Sequence, residues 1–275
     1  MTEAETVSVV VPTRDRHESL ALCIAALSAQ TAAALDVVVV DDGSVDPSRV
    51  AAIVAASPCA RLVRLEGTGP AAARNAGVQA ACGQVVLFTD DDCVPDRSWA
   101  ERLSAAVRAE PEAVTGGVTV PLPGSPPTVR ATEAITRVLA SRTPFRATNN
   151  VGTSRSLLLA CPFDEGFVAA AGEDRDWCER LNAAGIEIRT APDAVVVHAP
   201  AVGLRRFWRQ HVRYGRAART LRGPGHSQPL SLYVDIVEEG FREGLDVGLL
   251  VLVAQLATAV GFLAGPRRRP DRVSS

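Results

Sequence analysis

The chain has 275 residues, 47% of them hydrophobic, and a formal net charge of −2. That length holds one large α/β domain with an appendage or two small domains, and the composition excludes wholesale disorder and any global pull toward nucleic acid. All 29 basic residues are arginine, which excludes mechanisms built on lysine: the phosphate loop, the pyridoxal Schiff base and the phospho-receiver.

In chain order, the opening MTEAETV has neither a basic n-region nor an apolar stretch, so no secretory signal is expected. Val7–Val11 and Val37–Val40 are β-branched runs of the kind found in parallel strands buried on both faces, and 61–65 and 85–89 read as two more. Helices are predicted between them at 18–30, 47–56 and 70–82, with Pro47 and Pro70 at first-turn positions. This alternation predicts a doubly wound, mostly parallel sheet flanked by helices. Residues 121–128 (PLPGSPPT) read as a loop and a boundary. A helix over 173–184 and strands at 186–189 and 194–197 follow.

The remainder reads as a helical C-terminal extension over 201–265, after an α/β domain over 1–200, and ends in a polar tail over 266–275. Its first helix, 204–222, carries seven arginines, at 205, 206, 209, 213, 216, 219 and 222. After a Gly/Pro loop, residues 230–264 finish this helical extension. Within it, Val247–Gly265 is 19 residues with only Gln255 and Thr258 polar, which reaches the lower end of a membrane span, about 17–25 residues. A buried or partner-covered helix is the plainer explanation. A single crossing from a cytosolic site would put Arg267–Arg269 outside, against the positive-inside tendency. Association with the inner face of a membrane therefore ranks above a true span. No internal repeat is present. None of the six cysteines (Cys23, Cys59, Cys82, Cys93, Cys161, Cys178) forms a C-x-x-C pair, so no structural zinc site is expected and the thiols read as small hydrophobes of a reducing cytosol.

Three acidic clusters follow apolar runs, where open α/β sheets bind ligands. Asp41-Asp42-Gly43-Ser44 also has an ordinary explanation as turn and capping chemistry. Asp90-Asp91-Asp92 is less easily explained, because adjacent carboxylates repel and gain little without a cation. Hard Mg²⁺ or Mn²⁺ prefers such oxygen ligands together with phosphate oxygens. Glu173-Asp174 at a helix start is accounted for by the helix dipole, or by a general base acting on an acceptor hydroxyl.

In order, Val9-Val10-Val11-Pro12-Thr13-Arg14, Val40 to Ser44, Gly69 to Gly77 (GPAAARNAG), Phe88 to Asp92, Pro162 to Glu165 and Gly172-Glu173-Asp174 resemble the family-2 glycosyltransferases of the GT-A fold. The resemblance covers roughly residues 7–200. It implies a transferase moving a sugar, with inversion, from a nucleotide diphosphate donor to a hydroxyl acceptor, whether saccharide, lipid-linked or small molecule. It further implies that Pro12, Thr13 and Arg14 line the nucleotide pocket, with Asp41 or Asp42 accepting from the base. Arg74 would lie near the base or diphosphate, and Asp90 and Asp91 by the ribose and diphosphate. Asp90, Asp92 and the late His198 would bind Mn²⁺ or Mg²⁺, and Asp174, assisted by Glu173, would be the base. Asn149, Asn150 and Gly152 would shape the acceptor pocket. Gln210, Arg213 and Tyr214 partly resemble a Gln-x-x-Arg-Trp element of processive synthases, but Tyr214 stands for Trp and no set of pore helices follows. Polymer synthesis is not expected.

Two other classes compete. Gly67-Thr68-Gly69-Pro70-Ala71-Ala72 is a G-x-G-x-x-A run after a strand, as in dinucleotide-binding oxidoreductases, although two βα units precede it where the fingerprint opens its domain. A non-catalytic sugar-nucleotide module would bind without turnover, and the intact Asp90, Asp92 and Asp174 argue against it.

Overall fold

The computed structural model describes residues 6–32, 34–167, 171–198, 203–222 and 228–265. The polar tail with Arg267–Arg269, the first five residues and the 200/201 boundary lie outside the described residues. The chain divides into two compact units, 1–125 with 140–200, and 126–139 with 201–275.

The first unit is built on one sheet of eight strands: β1 (Val7–Thr13), β2 (Leu35–Asp42), β3 (Ala60–Leu65), β4 (Val85–Thr89), β5 (Cys93–Pro95), β6 (Val114–Pro121), β7 (Asn150–Ser154) and β8 (Ile188–His198). They lie in the order β3-β2-β1-β4-β7-β6-β8-β5. The half β3-β2-β1-β4 is parallel throughout, and β7 joins it antiparallel. Alternate residues of the valine runs face opposite cores. Val9, Val11, Val37 and Val39 pack with α1 (His17–Ser28), α2 (Pro47–Ala55) and α4 (Trp99–Ala109). Val10, Val38, Val40 and Phe88 pack with α3 (Pro70–Ala80), α6 (Arg155–Ala160) and α7 (Glu173–Ala183). Each fully buried valine contributes about 1.5–3 kcal/mol, so the residue alternation settles which helix lies on which face.

The polar half of the sheet was not foreseen, with the exception of β8. The strands expected at 186–189 and 194–197 are one strand, paired to β6 on either side of a register shift between Gly116 and Val118. β7 contains Asn149's neighbour Asn150 and Gly152, and Asn150 is occupied structurally. Its Oδ1 accepts from Trp99 Nε1 at 2.8 Å, and its Nδ2 donates to the carbonyls of Val118 at 3.0 Å and Ala194 at 3.1 Å. Asn150→Ala is expected to destabilise the fold by about 2–4 kcal/mol, read from the urea midpoint, because one indole N–H and two carbonyls lose their partner together.

The second unit holds α5 (Pro127–Arg142, of which 127–139 belongs here), α8 (Leu204–Arg222), α9 (Leu230–Glu243) and α10 (Leu245–Ala264). The expected loop at 121–128 is shorter than read, since Pro121 closes β6 and Pro127 opens α5. The expected helical extension over 230–264 consists of two helices, with a break at Gly244, whose φ of 146° lies outside any helical region. Ala131, Phe207, Ile236 and Val251 form the core of this unit, and Arg137 ties α5 to α9 through Glu239 at 3.0 Å and Glu243 at 2.7 Å. α10 is the one helix among the described residues long and apolar enough to cross a membrane.

Candidate active site

The carboxyl ends of β1, β2 and β4 lie side by side, because Thr13 pairs with Asp41 and β4 runs parallel to β1. The loops beyond them are strapped together. The Asp15 N–H donates to Ser44 Oγ at 2.9 Å, and Asp15 Oδ1 accepts the Val45 N–H at 2.8 Å. Gly43, at φ 78°, lies so close to the next loop that a Cβ there would sit 2.8 Å from the Gly67 nitrogen. The Arg14 guanidinium lies against Gly67 as well, with Nη1 3.3 Å from where a Cβ would sit.

Asp41 and Asp42 are both buried and each oxygen of the pair already accepts. Asp41 takes the Ser44 N–H at 2.9 Å and Arg64 Nη1 at 3.0 Å. Asp42 takes the N–H and hydroxyl of Thr68, at 2.6 and 3.1 Å, and the Gly69 N–H at 2.9 Å. The Thr68 and Gly69 amides at the turn of the G-x-G-x-x-A run are thus spent on Asp42 rather than open to a pyrophosphate, which speaks against the dinucleotide reading.

The aspartate triplet is held from two sides by arginine. Arg16, the N-cap of α1, places one nitrogen 2.9 Å from Asp91 Oδ1 and 2.6 Å from Asp92 Oδ2. Thr13 Oγ1 donates to the remaining Asp91 oxygen at 2.7 Å. Arg74, buried on α3, reaches Asp90 Oδ1 at 3.1 Å with one arm and Glu173 Oε1 at 2.9 Å with the other. A single guanidinium therefore joins the triplet after β4 to the acidic start of α7. The triplet and Glu173-Asp174 are neighbours in space despite the intervening sequence.

Asn75, next to Arg74, clasps the Pro162–Glu165 segment. Its Nδ2 donates to the Phe163 carbonyl and to Glu165 Oε1, both at 2.9 Å, and its Oδ1 accepts the Phe163 N–H at 3.0 Å. Phe163 in turn stacks on Trp177 at 4.8 Å and lies under Arg74. Sequence reasoning gave Arg16 and Asn75 no role. The short order Arg74-Asn75 on one helix turn was the available signal for the second.

His198 ends β8 opposite Cys93 in register, and its Nε2 lies 3.5 Å from Asp92 Oδ1. Ligand atoms of Asp92, Cys93 and His198 all fall within 4.8 Å of one another, a donor set able to hold a divalent ion. Cys93 was not among the expected ligands. Burial works to raise the Asp92 pKa, yet the contacts with His198 and Arg16 hold it below the ordinary value. Asp91 goes the other way, pushed up to about 6 by burial, with Arg16 opposing. Asp174 is half-buried, and burial and the charge of Glu173 raise it to about 7. A carboxylate poised there exchanges a proton near neutrality, as a general base requires.

The sequence matches the description "Glycosyl transferase family 2" over residues 8–164, more than half of the chain. The chain belongs to glycosyl transferase family 2. The pre-mycofactocin glycosyltransferase of Mycobacterium tuberculosis is 31% identical over 239 residues, which are 82% of this family-2 chain and 49% of that protein. Glycosyltransferase AglE of Haloferax volcanii is 26% identical over 223 residues, 76% of this chain and 72% of its own. The chain thus spans about half the length, 49%, of its mycobacterial relative. Among solved structures, the mannosyltransferase PcManGT of Pyrobaculum calidifontis, in complex with GDP-Man and Mn²⁺, aligns with a TM-score of 0.60 at 24% identity, covering 95% of this chain and 76% of that one. TarS of S. aureus with UDP aligns at 0.56 and 19% identity, covering 85% and 70%. These likenesses give the fold as GT-A, in agreement with the sheet and flanking helices described above.

Proposed function

We propose that this family-2 chain transfers a sugar from a nucleoside diphosphate donor to a hydroxyl acceptor, with inversion and with Mn²⁺ or Mg²⁺ as cofactor. The observation that carries the reading is the Arg74 bridge, which unites the Asp90 end of the triplet with the Glu173-Asp174 pair. Support for the donor class comes from relatives whose structures were solved with GDP-Man and with UDP.

The side chains of Pro12, Thr13 and Arg14 and the loops fixed by Asp41 and Asp42 would wall the nucleotide pocket. Asp90, Asp92 and His198 would hold the ion, which supplies charge neutralisation for the departing diphosphate. Arg74 and Asp91 complete the polar floor. Asp174, ionised near neutral pH, would take the proton of the acceptor hydroxyl as that oxygen attacks the anomeric carbon from the face opposite the leaving group. Glu173, held by Arg74, stays in place and its charge helps keep Asp174 basic. Calorimetry with UDP, GDP and dTDP, each with and without Mn²⁺, tests the reading. Binding of one of them, tightened by Mn²⁺, is expected. Silence across all six titrations would sink it.

For the second unit we infer docking on the inner, cytosolic face of an anionic membrane, without a crossing. Leu245, Leu249, Leu252, Leu256 and Leu263 form an exposed apolar stripe along α10, and Arg205, Arg206, Arg209 and Arg213 are exposed on α8. Apolar surface with arginines in one compact unit suits lipid headgroups and a lipid-phosphate acceptor. Sedimentation with anionic vesicles is expected to fall about tenfold or more when these four arginines become Gln. Unchanged sedimentation removes the inference.

A further inference from the structure

We propose that Arg16 is a fixed counter-cation of the aspartate triplet that weakens divalent-ion binding there and strengthens diphosphate binding. The proposal rests on the metal reading above and concerns a residue to which that reading gives no part.

Placement comes first. Arg16 caps α1 just beyond the Asp15 strap, so the loop that delivers its guanidinium is tied to Ser44 and Val45. One nitrogen is shared by Asp91 and Asp92, at 2.9 and 2.6 Å. This divides the carboxylates by oxygen. Both Asp91 oxygens are engaged, one by Arg16 and one by Thr13. Asp92 keeps Oδ2 on Arg16 and turns Oδ1 toward His198 and the Cys93 side. Between Asp91 and Asp92, the oxygen left facing an ion is thereby Oδ1 of Asp92.

Charge comes second. Five carboxylates (Asp90, Asp91, Asp92, Glu173 and Asp174) meet two guanidinium groups, Arg16 and Arg74, in the contacts described. Arg74 is buried between its two acidic partners, whereas the Arg16 side chain is 38% exposed. Arg16 is therefore the positive charge of the pair open to an arriving anion. A charge fixed within a few ångströms repels a divalent cation and attracts a diphosphate, both by the same Coulomb relation and with opposite sign. Loss of mere structural support would instead weaken both ligands together.

The test measures each ligand without the other. Mn²⁺ binding to the nucleotide-free chain is read from the electron paramagnetic resonance of the free ion. Binding of UDP, GDP or dTDP, whichever titrates best, is read by calorimetry in EDTA. Both are applied to the parent, Arg16→Gln and Arg16→Lys, with thermal unfolding confirming that each variant is folded. The Gln variant is expected to bind Mn²⁺ about fivefold to tenfold tighter and nucleotide about fivefold to tenfold weaker, while Lys stays near the parent in both. Joint weakening, no change in either affinity, or no nucleotide binding in EDTA by the parent overturns the proposal and leaves the metal reading standing. Absence of Mn²⁺ binding in the parent and the Gln variant alike brings down the metal reading and the proposal together.

Discussion

Asp174→Asn is expected to lower kcat about 10³-fold while donor affinity, measured by calorimetry, stays within about twofold. The amide keeps the shape of the side chain, and its Oδ1 still accepts the Arg175 N–H, but it takes no proton. The parent's pH profile carries the same signature. With a pKa of about 7, Asp174 must lose its proton to act, so kcat/KM should rise through that pH and level off above it. A profile already flat from pH 5 would deny Asp174 the role of base. Stability should move oppositely. The native pKa near 7 lies above the ordinary 3.8, so the folded state holds the proton more tightly and ionisation costs stability as pH climbs between those values. Asn removes that cost. The inactive variant should be more stable than its parent at pH 8, with the advantage shrinking toward pH 4.

Arg74→Met is expected to cost about 3–5 kcal/mol of folding stability, and with it all measurable transfer. The side chain is buried, and its removal strands Glu173, itself buried, and Asp90 without their shared cation. The urea midpoint reads the loss, and a midpoint equal to the parent's would deny Arg74 this bridging role. The double variant Arg74→Met with Glu173→Leu should regain part of the stability and none of the activity, which separates the two contributions.

The legible parts of this protein are those where one local rule dominates. Val7–Val11 and Val37–Val40 are strands because β-branched residues buried on both faces leave no competing structure. Asp90-Asp91-Asp92 stood out because like charges in sequence demand a reason. β6 and β7 were silent, since the double glycine in VTGGVTVP and the short polar NVGTS interrupt any hydrophobic run, and their pairing is supplied by β4 and β8. Asn150 looked like a pocket residue because a buried brace and a ligand contact use the same amide. Arg16 was invisible for a related reason: in TRDRHE it reads as one more solvated charge, and only the Asp15 strap turns it onto the triplet. The helix α5 was missed because prolines at its start outweighed the weaker pattern behind them.

The near-collision of Gly43 with Gly67, joined to the grip of Asp42 on Thr68 and Gly69, has a practical meaning for engineering. The two turns behave as one interlocked part, so neither can be inherited or transplanted alone. Chimeras intended to alter nucleotide preference should exchange 41–45 and 66–69 as a set. Swapping either half should yield protein that misfolds rather than protein with a new taste in donors.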